Sequence, residues 1–139
     1  MTYGFVASWT APTGRRRQRL VLRIGPPSGL FAPYRAAPEF TVLRALEGGA
    51  VPVPRACFFS DSPEVFGGPF SICEHVAGTA PLPWVAQGRV AFEPVLRARL
   101  AGQFVASLAA LHRFDWRSSP VAGLAANVSL DNAAALQVT

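Results

Sequence analysis

The sequence predicts an α+β fold in which an antiparallel sheet packs on one helix and a helical extension follows. Three observations carry that expectation. Two β-rich runs flank a Pro/Gly turn near the start, which is hairpin patterning. A second pair of short strands follows a segment with helical periodicity, and a long apolar stripe at helical spacing occupies the later part of the chain. At 139 residues, 50% of them hydrophobic and 15% charged, the chain fits one domain, or one lobe of a two-lobed protein, with enough apolar surface for a core.

Thr2 to Thr10 is the first strand, rich in Tyr3, Phe5, Val6 and Trp9. Ala11-Pro12-Thr13-Gly14 supplies turn chemistry, and Arg19 to Ile24 reads as the returning strand. Gly25 to Pro33 holds three prolines and two glycines and is expected as loop. Glu39 to Glu47 is the first helix candidate. Pro38 is tolerated in a first turn, Phe40, Leu43 and Leu46 share a face, and Gly48-Gly49 offers a left-handed stop. Val51-Pro52-Val53-Pro54 is an extended connector, because neither proline can donate to a ladder. Ala56 to Ser60 and Phe70 to Val76 are the second strand pair. Ala77 to Pro83, broken by Gly78, Pro81 and Pro83, marks a boundary. From Glu93 to His112 runs the clearest helix, with Leu96, Leu100, Phe104, Leu108 and Leu111 in a stripe that reads as packing surface rather than a cofactor box. Arg117 to Gly123 is expected as loop, and a further helix starts near Asp131.

The net charge is +5, and all 13 basic residues are arginine. The densest cluster, Arg15-Arg16-Arg17-Gln18-Arg19, is expected in an exposed hairpin loop. Nucleic-acid contact there is disfavoured, because no aromatic stacking pattern is interleaved with the arginines. Cys57 and Cys73 sit among phenylalanines and isoleucine and are expected as buried, reduced thiols. With only His75 and His112 beside them, the ligands for a zinc site are lacking. No apolar run approaches the roughly 20 residues that span a bilayer, and no secretion signal opens the sequence. A cytoplasmic protein without membrane attachment is therefore expected. The triplet Asn127-Val128-Ser129 carries no weight without secretion. His112 beside Asp115 reads as a helix-terminal histidine favoured by the dipole, not as an acid–base pair.

Several strings, in this order, resemble the aminoglycoside-phosphotransferase-like family of small-molecule kinases. Leu20-Val21-Leu22-Arg23 followed by Gly25-Pro26-Pro27 resembles the family's third strand, with an arginine where lysine is usual. Glu39 with Val42-Leu43-Arg44-Ala45-Leu46 resembles the helix that follows, and Val51-Pro52-Val53-Pro54 the connector. Gly68 to Gly78 resembles the fifth strand and hinge, and Leu111-His112-Arg113-Phe114-Asp115-Trp116 the end of the first long helix of the second lobe. The resemblance implies a partial kinase-like N-lobe over residues 1–78, then a hinge linker and the start of a helical C-lobe over residues 79–139.

It also implies chemistry. Phosphoryl transfer needs a cation on the nucleotide phosphates, a metal held by an acid and an amide, and a base near the acceptor hydroxyl. By the resemblance Arg23 is the strand cation and Glu39 its helix partner. The carbonyl of Glu74 would accept from the adenine amine, and the amide of Val76 would donate to the ring. ATP and Mg2+ are the implied cofactors, and a small hydroxylated molecule the implied acceptor.

Other family parts do not occur. The phosphate-covering glycine turn would precede the strand beginning at Thr2-Tyr3. No His-Gly-Asp is present, and the metal-binding Asp segment that follows it is missing. Leu130-Asp131-Asn132 resembles the tail of a catalytic loop, but Ala125, Ala126 and Asn127 take the His, Gly and Asp places. No residue of this chain is therefore assigned a catalytic or metal-binding role. The expected protein is a fragment of an ATP-dependent small-molecule phosphotransferase, inactive alone. The alternative is a non-catalytic nucleotide- or partner-binding pseudokinase-like module. Without C-lobe helices to cover it, the Leu96–Leu111 stripe is expected to be exposed, or to mediate self-association.

Overall fold

The computed structural model describes residues 1–26, 34–78 and 93–125. Its elements run β1 (Thr2–Ala11), β2 (Gly14–Ile24), α1 (Ala36–Leu46), β3 (Ala56–Ser60), β4 (Phe70–Glu74), α2 (Pro94–Arg113) and α3 (Ala122–Ala125). The four strands form one antiparallel sheet in the order β1-β2-β4-β3. The expected α+β class therefore holds.

The first hairpin is longer than the sequence suggests. Its turn is confined to Pro12-Thr13, and Gly14 closes it at φ +111, a conformation costly for a residue with a Cβ. Pairing then continues without a break from Ala11↔Gly14 to Thr2↔Arg23. The arginine cluster is thus in a strand and not in a loop: Arg15, Arg16 and Arg17 stand opposite Thr10, Trp9 and Ser8. An exposed two-stranded ribbon buries neither face here, so charged side chains alternate on both without desolvation.

The core lies between α1 and the β3–β4 pair. Ala36, Leu46 and Ala56 are buried there, and the ring of Phe40 on α1 meets that of Phe59 on β3 at 4.6 Å; alternation turns Phe70 to the opposite face of the sheet. Phe70 is only 3% exposed, gripped edge-on by Phe66 at 4.7 Å and flanked by Phe58 at 5.9 Å. The register shifts between Ala56 and Phe58, so Cys57 is the extra residue of a bulge. It is exposed, and Cys73 is half-buried. The expectation of two buried thiols thus fails: a bulge rotates its extra residue out of the alternation that would have turned Cys57 inward. Both cysteines are free.

Helix α1 starts three residues before the expected Glu39. The N-cap position, Arg35, offers no capping side chain. Asp61, from the β3–β4 connection, does it instead: its Oδ1 accepts from the backbone amides of Ala36 at 2.6 Å and Ala37 at 3.2 Å. Its Oδ2 lies 3.6 Å from Arg35 Nε. A carboxylate at this end also meets the positive pole of the helix. The far end stops as anticipated, with Gly48 at φ +74. Helix α2 begins with Pro94 in its first turn, and its whole apolar stripe is exposed, from Leu100 at 39% to Phe104 at 68%. The segment expected as loop from Arg117 to Gly123 ends in the short α3. The residues from Pro81 to Val90, the Leu130-Asp131-Asn132 string and the helix expected near Asp131 lie outside the described residues. No helix among the described residues is long and apolar enough to cross a membrane.

Candidate functional site

Alternation along β2 places Arg19, Val21 and Arg23 on one face of the sheet. Directly opposite on β1 stand Val6, Gly4 and Thr2, and on β4 Cys73 faces Val21 and Ser71 faces Arg23. Phe59, opposite Ser71 on β3, carries α1 on this same face. The fold thereby brings the helix carboxylate to the strand cation. Arg23 Nη1 donates to Glu39 Oε1, with the arginine side chain 52% exposed and the glutamate 26%. At that exposure the pair contributes roughly 0–1 kcal/mol to stability. Its consequence is orientation: one edge of the guanidinium is held by Glu39, and its other donors remain directed to solvent.

Tyr34 completes the arrangement and was not visible in the sequence. Its hydroxyl donates to the second oxygen, Glu39 Oε2, at 2.8 Å, so both carboxylate oxygens are engaged. The ring lies against Gly25, which is buried, and a Cβ there would collide with it. Burial first, then the hydrogen bond to Glu39 and its negative charge, push the Tyr34 phenol above its ordinary value of 10.0. A raised folded-state pKa contributes stability that is fully present below the unfolded value and lost as pH rises through the folded one. Tyr34→Phe should therefore unfold more easily than wild type by about 1 kcal/mol near neutral pH, and the gap should close as pH rises above about 10. Urea titrations of both proteins across that range measure it; a gap that widened with pH would contradict the assignment.

The other two predicted residues lie at the end of β4. Glu74 is its last residue, opposite Leu20 on β2. Its amide donates to the Arg55 carbonyl at 2.9 Å, and its carboxylate lies 3.9 Å from Arg55 Nε. The His75 amide donates to the Arg19 carbonyl at 3.1 Å, the last bond before the chain leaves the sheet. Val76 is exposed beyond it, and its amide makes no hydrogen bond among the described residues. Arg23 and Glu74 stand three ladder positions apart, about 10 Å along the strands. Between them, on the Arg23 face, is Cys73, whose thiol is pushed up by burial first and then by the charge of Glu39.

His112 does not join this site. It lies in the last turn of α2, while the Asp115 carboxylate accepts from the Ser118 hydroxyl. That bond, reinforced by backbone amides and Arg117, holds the Asp115 carboxyl below its usual value. No group of three or more His, Cys, Asp or Glu that could hold a metal ion occurs among the described residues.

A four-stranded antiparallel sheet with one helix, whose glutamate meets an arginine of β2, is compatible with a partial kinase-like N-lobe. The comparison with protein families agrees. The model of the phosphotransferase enzyme family, APH, matches residues 7–137, nearly the whole chain. The chain belongs to that family.

Proposed function

We propose that the sheet face bearing Val6, Val21, Cys73 and Arg23 is the ATP-binding face of a phosphotransferase that acts on small hydroxylated molecules. The observation that carries this reading is the Arg23–Glu39 pair, standing on the same face as Val21 and about 10 Å from the β4 end. That span suits a nucleotide whose base rests on Val6 and Val21 and whose phosphates reach Arg23. The Glu74 carbonyl and Val76 amide would then take the adenine edge, and Glu39, fixed by Tyr34, would aim the guanidinium. Bound ATP supplies the transferable phosphoryl group. The residues fit the nucleotide but not Mg2+, for which the described residues offer no ligand cluster.

Residues 1–78 form the proposed N-lobe unit, and residues 79–139 the hinge linker and first helices of the C-lobe. The sequence has no His-Gly-Asp, so this chain by itself is read as binding nucleotide without transferring phosphate. That same lack supports the second reading, a non-catalytic pseudokinase-like module that binds nucleotide or a partner. The proposed compartment is the cytoplasm, and α2 is the proposed self-association surface.

The chain should show no ATP turnover with sugars, aminoglycosides or choline-like alcohols. ATP should bind weakly, and Arg23→Ala should weaken it by about tenfold, as expected for loss of a charge-assisted phosphate contact. Unchanged ATP affinity in Arg23→Ala would remove the site assignment. Phosphotransfer by the wild-type chain, abolished in that variant, would show that a catalytic group lies where none is assigned.

A further inference from the structure

Arg23 and Glu39 meet through a single hydrogen bond, Nη1 to Oε1. The contact is half of what the two groups can make. A guanidinium and a carboxylate that are free to align close a planar fork of two parallel bonds, and such a fork occupies a whole edge of the arginine. Glu39 does not close it, because its second oxygen is engaged elsewhere: Oε2 accepts from the Tyr34 hydroxyl at 2.8 Å.

Tyr34 is fastened from two sides. Its ring fills the space beside Gly25, where a Cβ would collide with it. Gly25 is itself tied to the chain entering β4, its amide donating to the Pro69 carbonyl at 2.8 Å. On the other side, two and three residues on, the amides of Ala36 and Ala37 are held by Asp61. The hydroxyl is thus placed by backbone at the end of β2 and at the start of α1, and Glu39 comes to it from the first turn of that helix.

The arrangement matters because the strand cation is an arginine. A lysine ammonium is a point charge with no fork to close. An arginine forked by its carboxylate partner offers fewer donors and a more nearly neutralised charge to a ligand. Arg23 is the more exposed member of its pair, so the donors spared are ones a ligand can reach.

We infer that Tyr34 is a positioning residue that sets the affinity of Arg23 for a polyphosphate chain. By holding Glu39 Oε2 it keeps the ion pair single and leaves the rest of the guanidinium free for phosphate oxygens. The inference rests on the reading of this face as the nucleotide site. Without the hydroxyl, Oε2 turns to Arg23, the fork closes, and the phosphates lose donors. The base, met by backbone groups at the end of β4, is untouched.

The test is an NMR titration of the chain with ATP, tripolyphosphate and adenosine. Tyr34→Phe changes no charge, yet it should weaken ATP and tripolyphosphate about fivefold and leave adenosine unchanged. Gly25→Ala, which displaces the ring and keeps the hydroxyl, should give the same pattern. In an Arg23→Lys background no fork can form, and Tyr34→Phe should then change ATP affinity by less than about twofold. Unchanged ATP affinity in Tyr34→Phe or Gly25→Ala overturns the inference. Equal weakening of adenosine, the mark of a structural strut alone, overturns it too, as does an undiminished effect in Arg23→Lys. Arg23→Ala separates the two levels. If it spares ATP, the assignment of the face falls and the inference with it; if it weakens ATP while Tyr34→Phe does not, the face stands and the role of Tyr34 is lost.

Discussion

Phe70→Ala is expected to lose about 3–5 kcal/mol of stability, the usual penalty for emptying a buried phenylalanine site. The reason lies in how few side chains are fully enclosed. Leu20, Ala36, Leu46, Ala56 and Phe70 make up the buried apolar set among the described residues, and Phe70 is the only aromatic one. Its neighbours Phe58 and Phe66 are themselves partly open to solvent, so neither is backed by enough structure to fill the space. Against a typical net stability of about 5–15 kcal/mol, such a loss removes much or all of the folded population. Circular dichroism and urea unfolding of the variant measure it. A loss below about 1 kcal/mol would show that the phenylalanine cluster collapses without a cavity, and that the sheet does not depend on it.

The elements whose signals are local were legible in the sequence. Alternation and turn chemistry located both strand pairs, and Gly48 ended α1 where its left-handed backbone was required. What failed depended on partners distant in the chain. The true start of α1 is set by Asp61, which reaches the amides of Ala36 and Ala37 from another loop; no neighbour of Arg35 announces it. The outward turn of Cys57 depends on a bulge defined only by the register with β4. The arginine run reads as a loop because it follows Gly14 between two strand-like stretches, but such a position does not distinguish a loop from a ribbon that is solvated on both faces.

The candidate site divides along the same line. Arg23 and Glu39 were found by resemblance, and the structure places them in contact. Glu74 and Val76 lie at the end of the strand next to Arg23, where backbone groups rather than side chains would make the contacts, so their identity carries little signal. Tyr34 went unnoticed among the prolines and glycines that precede α1. Its role rests on a bond to Glu39 and on the room left by Gly25, and neither is a property of its own neighbourhood in the sequence.

Leu100→Glu with Phe104→Glu is expected to abolish self-association of the chain while leaving its fold intact. Leu96, Leu100, Phe104, Leu108 and Leu111 recur at helical spacing on α2, and each is between 39% and 68% exposed. No residue of α2 is buried, so the described part of the chain leaves the stripe uncovered. Burying one such side chain is worth about 1.5–3 kcal/mol. Several of them on one face therefore supply a driving force comparable with the stability of a small domain, and a facing copy of the same helix can take them up. Two glutamates in the middle of the stripe would set like charges across that interface and would have to be desolvated to bury it. On the isolated helix surface they cost little, because glutamate is a good helix former and these sites already face water. Sedimentation equilibrium should show a concentration-dependent oligomer for the wild type and a monomer for the double variant, with equal helix content in both. If the wild type is instead a monomer that melts cooperatively at high temperature, the stripe is covered within the chain. In that case the double variant should unfold it.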